Sequence, residues 1–151
     1  MADDKMDVGT VVDKLNAALT LQYRSVLQYT VTAGSILGFE GQSLTNQLWS
    51  NAEAELADAR HLVEKITGLG GQPTTDLASI RHHPMTSDAS EWLITSETEA
   101  IDALKQVIPH TGNEGRSEAL EHLLEHIIMR KQNQVDFLVR ARGAGGAGRA
   151  N

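Results

Sequence analysis

Each of four helical stretches in this sequence carries a polar residue where an apolar one would be expected. On helical wheels at about 100° per residue, Gln22 lies inside the stripe of Leu15, Ala18, Leu19, Val26, Tyr29, Ala33 and Ile36. Glu55 lies near the middle of the stripe of Leu44, Leu48, Ala52, Ala59, Leu62 and Ile66, with Asp58 at its edge. Glu97 falls among Leu93, Ala100, Ile101, Leu104 and Ile108. Lys131 falls near the centre of Leu120, Leu124, Ile127, Val135 and Leu138, with Gln134 beside it. A buried charge without a partner is too costly to arise by accident, so these residues are expected to meet in one mid-bundle layer. Two chemistries suit such a layer. Carboxylates can hold hard cations such as iron or manganese. Alternatively, the Lys131 ammonium, which has no lone pair to offer while protonated, can neutralise the acids as an ion-paired network. A third outcome places the Lys131 charge at the surface, at the end of its long stem.

Other side chains with ligand chemistry are less well placed. His122 and His126 have metal-ligand spacing on a helix. They point away from the Leu120, Leu124 and Ile127 stripe, and with Glu118, Glu121 and Glu125 they read as a solvated face or as a metal site at a subunit contact. His61 lies off the core stripe. Shifting the register by three residues would pair Asp58 with His61, but the Glu55 and Asp58 pair keeps Leu62 to Ile66 aligned without a gap. His82 and His83 fall in a connection.

The elements that must position the layer are four helices, predicted over about 8–37, 43–67, 88–108 and 117–142. Gly38, the Gly68, Gly70 and Gly71 group, and Pro109 mark their ends, and Asp88 with Glu91 reads as a capping box. The first and second helices, and the third and fourth, are joined by short links and are expected to be antiparallel neighbours. Between the second and third lies a long connection, from Leu69 to Ser87. About twenty extended residues can reach roughly 66 Å, against about 37 Å for a 25-residue helix. That link can cross the whole bundle, and two hairpins joined by one crossover is an all-α, ferritin-like four-helix arrangement. The bundle is expected over 1–142 and a flexible Gly-rich tail over 143–151.

Composition agrees. A chain of 151 residues fits one domain, and it has no cysteine, three prolines and 4% aromatic residues. The acidic N-terminus lacks the order of a secretory leader, no run is long and apolar enough for a membrane span, and a reducing cytoplasm is expected. A net charge of −7, with only Arg140, Arg142 and Arg149 near the C-terminus, disfavours nucleic acid.

Local sequence resembles bacterioferritin over residues 10–140. The carrying segments are Leu15-Asn-x-x-Leu-Thr20 with Gln28-Tyr29, Leu62-Val-Glu-Lys-Ile66 followed by Gly71 and Pro73, Glu97-x-Glu-Ala-Ile101 with Leu104-Lys-x-x-Ile108, and Val135-Asp-Phe-Leu138. The resemblance implies a two-iron centre built from one Glu on each of two helices and a Glu-x-x-His on each of the others. It also implies assembly of copies into a cage, oxidation of ferrous iron and storage of the mineral. Carried over, the centre becomes Gln22, Glu55 with Asp58, Glu97, and Lys131 with Gln134. Only Glu55 and Glu97 keep the family type, and Asp58 could still ligate. The family's haem-binding methionine falls on Leu56, so haem is not expected. Tyr29 matches a tyrosine near the family's centre.

Three states of the centre remain open at this level: a metal-free polar network, a single metal held by Glu55, Asp58 and Glu97, or a working two-iron oxidase. Lys131 and Gln134 disfavour the last. The two functions in view are metal handling by a homo-oligomer, with iron or no cofactor, and a structural or interaction module.

Overall fold

The computed structural model describes the backbone of residues 5–150 and the side chains of residues 5–143. Four helices carry the fold: α1 (Val8–Ser35), α2 (Gly38–Gly68), α3 (Thr86–Lys105) and α4 (Gly115–Ala150), with a 3-10 turn at Ile108–His110 before α4. There is no strand among the described residues.

Helix ends differ from the expected ones for local reasons. Asp7 caps α1 by accepting from the Thr10 backbone N–H at 3.2 Å, which satisfies one of the free first-turn donors. Only Ile36 and Leu37 separate α1 from α2. Gly38, at φ +86°, sits in the left-handed region open to glycine, so the chain reverses at once and α2 starts five residues before Ser43. α3 starts at Thr86 with Met85 in the cap position and no side-chain cap, so Asp88 and Glu91 lie inside the helix instead of forming its capping box. The α4 backbone continues past Arg142 to Ala150, across the expected Gly-rich tail. The side chains of 144–150 and all of Asn151 lie outside the described residues.

The link from Leu69 to Met85 runs the length of α1 and is fastened to it in order. Asn16 accepts from the Thr74 N–H at 2.8 Å and donates to the Gln72 carbonyl at 3.0 Å. Tyr23 donates to the Thr74 carbonyl at 2.9 Å. Gln28 donates to the Arg81 carbonyl at 2.8 Å and accepts from its N–H at 2.9 Å, and the Leu37 N–H donates to the Pro84 carbonyl at 2.8 Å. The crossover therefore passes from one end of the bundle to the other. Gln28 also accepts from Trp92 Nε1 at 2.7 Å, which ties the crossover to α3. At the crossover's start, a Cβ on Gly71 would lie 2.6 Å from Val12 Cγ1 and 3.1 Å from Ile66 Cγ2. Gly71→Ala is accordingly expected to lower stability by about 1–3 kcal/mol through overpacking, read by urea denaturation.

The apolar core comes in two parts. One joins Leu15, Leu19, Leu62, Ile66, Leu104, Leu120, Leu124 and Ile127. The other joins Tyr29, Ala33, Leu48, Ala52, Leu93 and Leu138. Between these two clusters each helix buries polar side chains: Gln22 and Ser25, Glu55 and Asp58, Ser96 and Glu97, and Lys131 and Gln134.

Candidate functional site: a charged layer at mid-bundle

Lys131 is fully buried, and so is Glu55. The Lys131 ammonium lies 2.7 Å from Glu55 Oε2 and 3.1 Å and 3.4 Å from the two oxygens of Glu97. It also donates to Ser25 Oγ at 3.2 Å. The amine from α4 is thus held between acids from α2 and α3, at the centre of the fold. Gln22, on α1, donates to Glu55 Oε2 at 2.5 Å and to the Glu55 carbonyl at 2.8 Å. Ser25 donates to Glu97 Oε1 at 2.5 Å. Gln134 completes the ring once its amide is oriented by its neighbours. Its nitrogen then donates to Glu55 Oε1 at 2.7 Å, and its oxygen accepts from Arg130 Nη1 at 2.5 Å.

Asp58 is buried too, but it faces a different cation. Arg130 Nε donates to Asp58 Oδ2 at 2.5 Å, and Arg130 Nη2 pairs with the same carboxylate and lies 3.3 Å from Glu55 Oε1. The layer therefore holds two cations, with Lys131 between Glu55 and Glu97 and Arg130 between Glu55 and Asp58. Arg130 and Ser25 were missed in the sequence. Ser25 is three residues beyond Gln22 on the same helix face, so its place was legible. Arg130 starts off the apolar stripe and reaches back through its stem, as long basic side chains do. Of the other candidates, His61, His122 and His126 are exposed. His122 lies 3.7 Å from Glu118.

Charge balance follows from this geometry. Burial pushes the Glu55 carboxyl up, but Lys131 and Arg130 pull it below its usual range. Burial raises Glu97, the Glu55 charge adds to that, and Lys131 only partly offsets them, which leaves Glu97 at about 7. Burial alone would lower Lys131, yet Glu97 and Glu55 hold it above its ordinary value. Burial raises Asp58 against the pull of Arg130. With Glu97 carrying its proton, Glu55 and Asp58 balance Lys131 and Arg130, so the layer is neutral.

A family model for the ferritin-like domain matches residues 12–141. The chain belongs to the ferritin-like family. Solved structures agree. A ferritin-like, diiron-carboxylate protein from Bacillus anthracis is 28% identical, with TM-score 0.83 over 89% of this chain and 96% of its own. The bacterioferritin-related dodecameric thioferritin of Bacteroides fragilis is 20% identical, with TM-score 0.85 over 97% and 92%. Desulfovibrio desulfuricans bacterioferritin, described with a diiron site, is 22% identical, with TM-score 0.78 over 88% and 78%. The last two likenesses show the fold. Among curated protein sequences no match is found.

The donor set of this ferritin-like chain does not fit the two-metal centre of its family. That centre needs carboxylates and imidazoles with open lone pairs facing two cations. Here an ammonium and a guanidinium, neither able to ligate, stand among the acids. Among the described residues no group of three or more His, Cys, Asp or Glu side chains is arranged to hold a metal ion. Nor is any helix there long and apolar enough to cross a membrane.

Proposed function

We infer that this chain is a bacterioferritin-like protein in which a Lys and Arg carboxylate network stands in place of the metal centre, so that it serves as a structural or interaction module and not as an oxidase. The observation that carries this reading is the buried Lys131 ammonium, 2.7 Å from Glu55 and 3.1 Å from Glu97. A second cation entering between those acids would meet that ammonium at short range, where low dielectric makes the repulsion large. A single metal on Glu55, Asp58 and Glu97 is disfavoured on the same ground, since Arg130 already pairs with Asp58. Iron handling remains the inheritance that the family resemblance supports, with this chain acting as a non-oxidising member.

Self-association fits the same reading. The Bacteroides relative is a dodecamer by its own description. In this chain the apolar side chains Leu27, Leu56 and Leu77 stay exposed around one surface groove, which suits contact with another copy.

The test reverses the replacement. The combined substitutions Gln22→Glu, Lys131→Glu and Gln134→His, with Arg130→Ala to release Asp58, restore a lone-pair donor set. Calorimetric titration with zinc, and with ferrous iron under argon, is expected to show tight binding in that variant and none at mid-bundle in the natural chain. Equal, tight binding by both would overturn the reading.

A further inference from the structure

α4 carries two imidazoles that the charged layer does not use. His122 and His126 stand four residues apart within the unbroken helix Gly115–Ala150, and both are exposed. On a helix that spacing puts two side chains on one face, about 5–6 Å apart at Cβ. Both rings can then reach one ion, with metal–nitrogen bonds of about 2.0–2.1 Å for zinc. Neither ring belongs to either core cluster. The His122 side chain is 73% exposed, so its ring turns without displacing a neighbour.

The surroundings favour a cation. From Ser117 to Met129 the helix carries Glu118, Glu121 and Glu125 and no lysine or arginine. Glu118 lies 3.7 Å from His122 Nε2. A carboxylate beside a ligating histidine accepts from one ring nitrogen and leaves the other for the metal. Glu121 is drawn away by Thr111, which donates to it at 2.6 Å, so it adds charge and not a ligand. Arg130, the next cation along the helix, is turned inward onto Asp58 and Glu55. Among the described residues no third His, Cys, Asp or Glu is arranged with the pair to close a site. The geometry is that of an open chelate of two imidazoles, with water in the remaining positions. Imidazole suits copper(II), nickel(II) and zinc, whereas magnesium and calcium prefer oxygen ligands.

We propose that His122 and His126 form a solvent-facing chelate for one divalent transition-metal ion of the copper, nickel or zinc class. The site does not depend on the mid-bundle layer. At about 100° per residue, Lys131 projects from the opposite side of α4. The chain then holds metal at its surface and not at its centre.

The experiment is isothermal titration calorimetry of the full chain with nickel(II) and with zinc, each in a buffer that does not bind the metal. Saturable binding of one ion per chain is expected. His122→Ala or His126→Ala is expected to weaken it at least about tenfold, because a chelate loses one of its two linked ligands. Both positions are exposed and alanine favours helix, so neither change threatens the fold. His82→Ala with His83→Ala removes the two histidines of the crossover and is expected to leave binding unchanged. Glu118→His added to His126→Ala rebuilds the same spacing one turn earlier, with His122, and is expected to restore binding. No saturable heat with either ion overturns the proposal. So does equal binding by the natural chain and His126→Ala, or a loss in His126→Ala that Glu118→His leaves unrestored. Repeating the mid-bundle titrations with both His122→Ala and His126→Ala in place leaves the layer to respond without this pair, so failure of one reading is distinguishable from failure of the other.

Discussion

Lys131→Ala is expected to lower stability by about 3–5 kcal/mol at neutral pH, the range for breaking a buried ion pair from one side. The alanine leaves Glu55 and Glu97 facing each other with no ammonium between them. Arg130 reaches Glu55 Oε1 at 3.3 Å but is committed to Asp58, so it compensates only part of the loss. The variant's remaining escape is to keep a second proton in the layer, so the deficit shrinks at mildly acidic pH. Lys131→Met combined with Glu55→Gln removes the ammonium and its nearest carboxylate, which leaves Arg130 paired with Asp58 and, with Glu97 protonated, no orphaned charge. Replacing both members of a buried pair is often close to neutral, so the double variant is expected to be more stable than Lys131→Ala. Urea denaturation of Lys131→Met, Glu55→Gln and the double variant at the same pH gives the coupling, expected at about 1–3 kcal/mol. Simple additivity of the two changes would mean that Lys131 and Glu55 do not interact.

The second large effect is a pH slope carried mainly by Glu97, with Asp58 adding a contribution of the same sign at lower pH. Glu97 is held at about 7 against an ordinary 4.5, so between those values the folded chain binds a proton that the unfolded chain has released. Stability then falls as pH rises through this window and levels off above it. The difference corresponds to roughly 3 kcal/mol at most, without discount for solvent because the side chain is buried. Glu55, lowered by Lys131 and Arg130, has the opposite sign. Its contribution is present above the ordinary carboxylate range and is lost as pH falls through its folded value. The two together place the stability maximum in the mildly acidic range. Glu97→Gln keeps the size and polarity of the side chain and removes its titration. Denaturation curves at pH 5 and pH 7.5 are expected to show a clear loss in the natural chain and little change in the variant. An unchanged slope in Glu97→Gln would assign the effect to another group.

The sequence was most legible where periodicity and chain length do the work. Apolar residues at helical spacing set four helices, and the length of the link after Gly68 allowed for a crossover that the structure fastens to Asn16, Tyr23 and Gln28. Leu15, Leu62, Leu124 and Leu138 are core residues in both readings, because a wheel needs only direction and not contact. Helix ends were less legible. The reversal at Gly38 depends on a backbone angle, and glycine is commoner just past a helix than at the start of the next, so Gly38 read as a stop.

In the charged layer, direction was again enough to place Gln22, Glu55, Glu97 and Lys131 on inward faces. Reach was not readable. Whether Asp58 answers to Lys131 or to another cation depends on how far a neighbouring side chain can bend back, and Arg130 does so from a position that a wheel assigns to the surface. Without Arg130 the acids outnumber the bases three to one. With it, one proton on Glu97 closes the balance.

The most direct measurement is iron retained by the natural chain after anaerobic ferrous loading and desalting, quantified by plasma mass spectrometry. In parallel, anomalous scattering from crystals of the loaded protein at the iron edge would report where any iron sits. The account predicts no anomalous peak between Glu55 and Glu97 and no iron retained in stoichiometric amount at mid-bundle. A pair of peaks between those carboxylates, with Lys131 displaced from them, would contradict it.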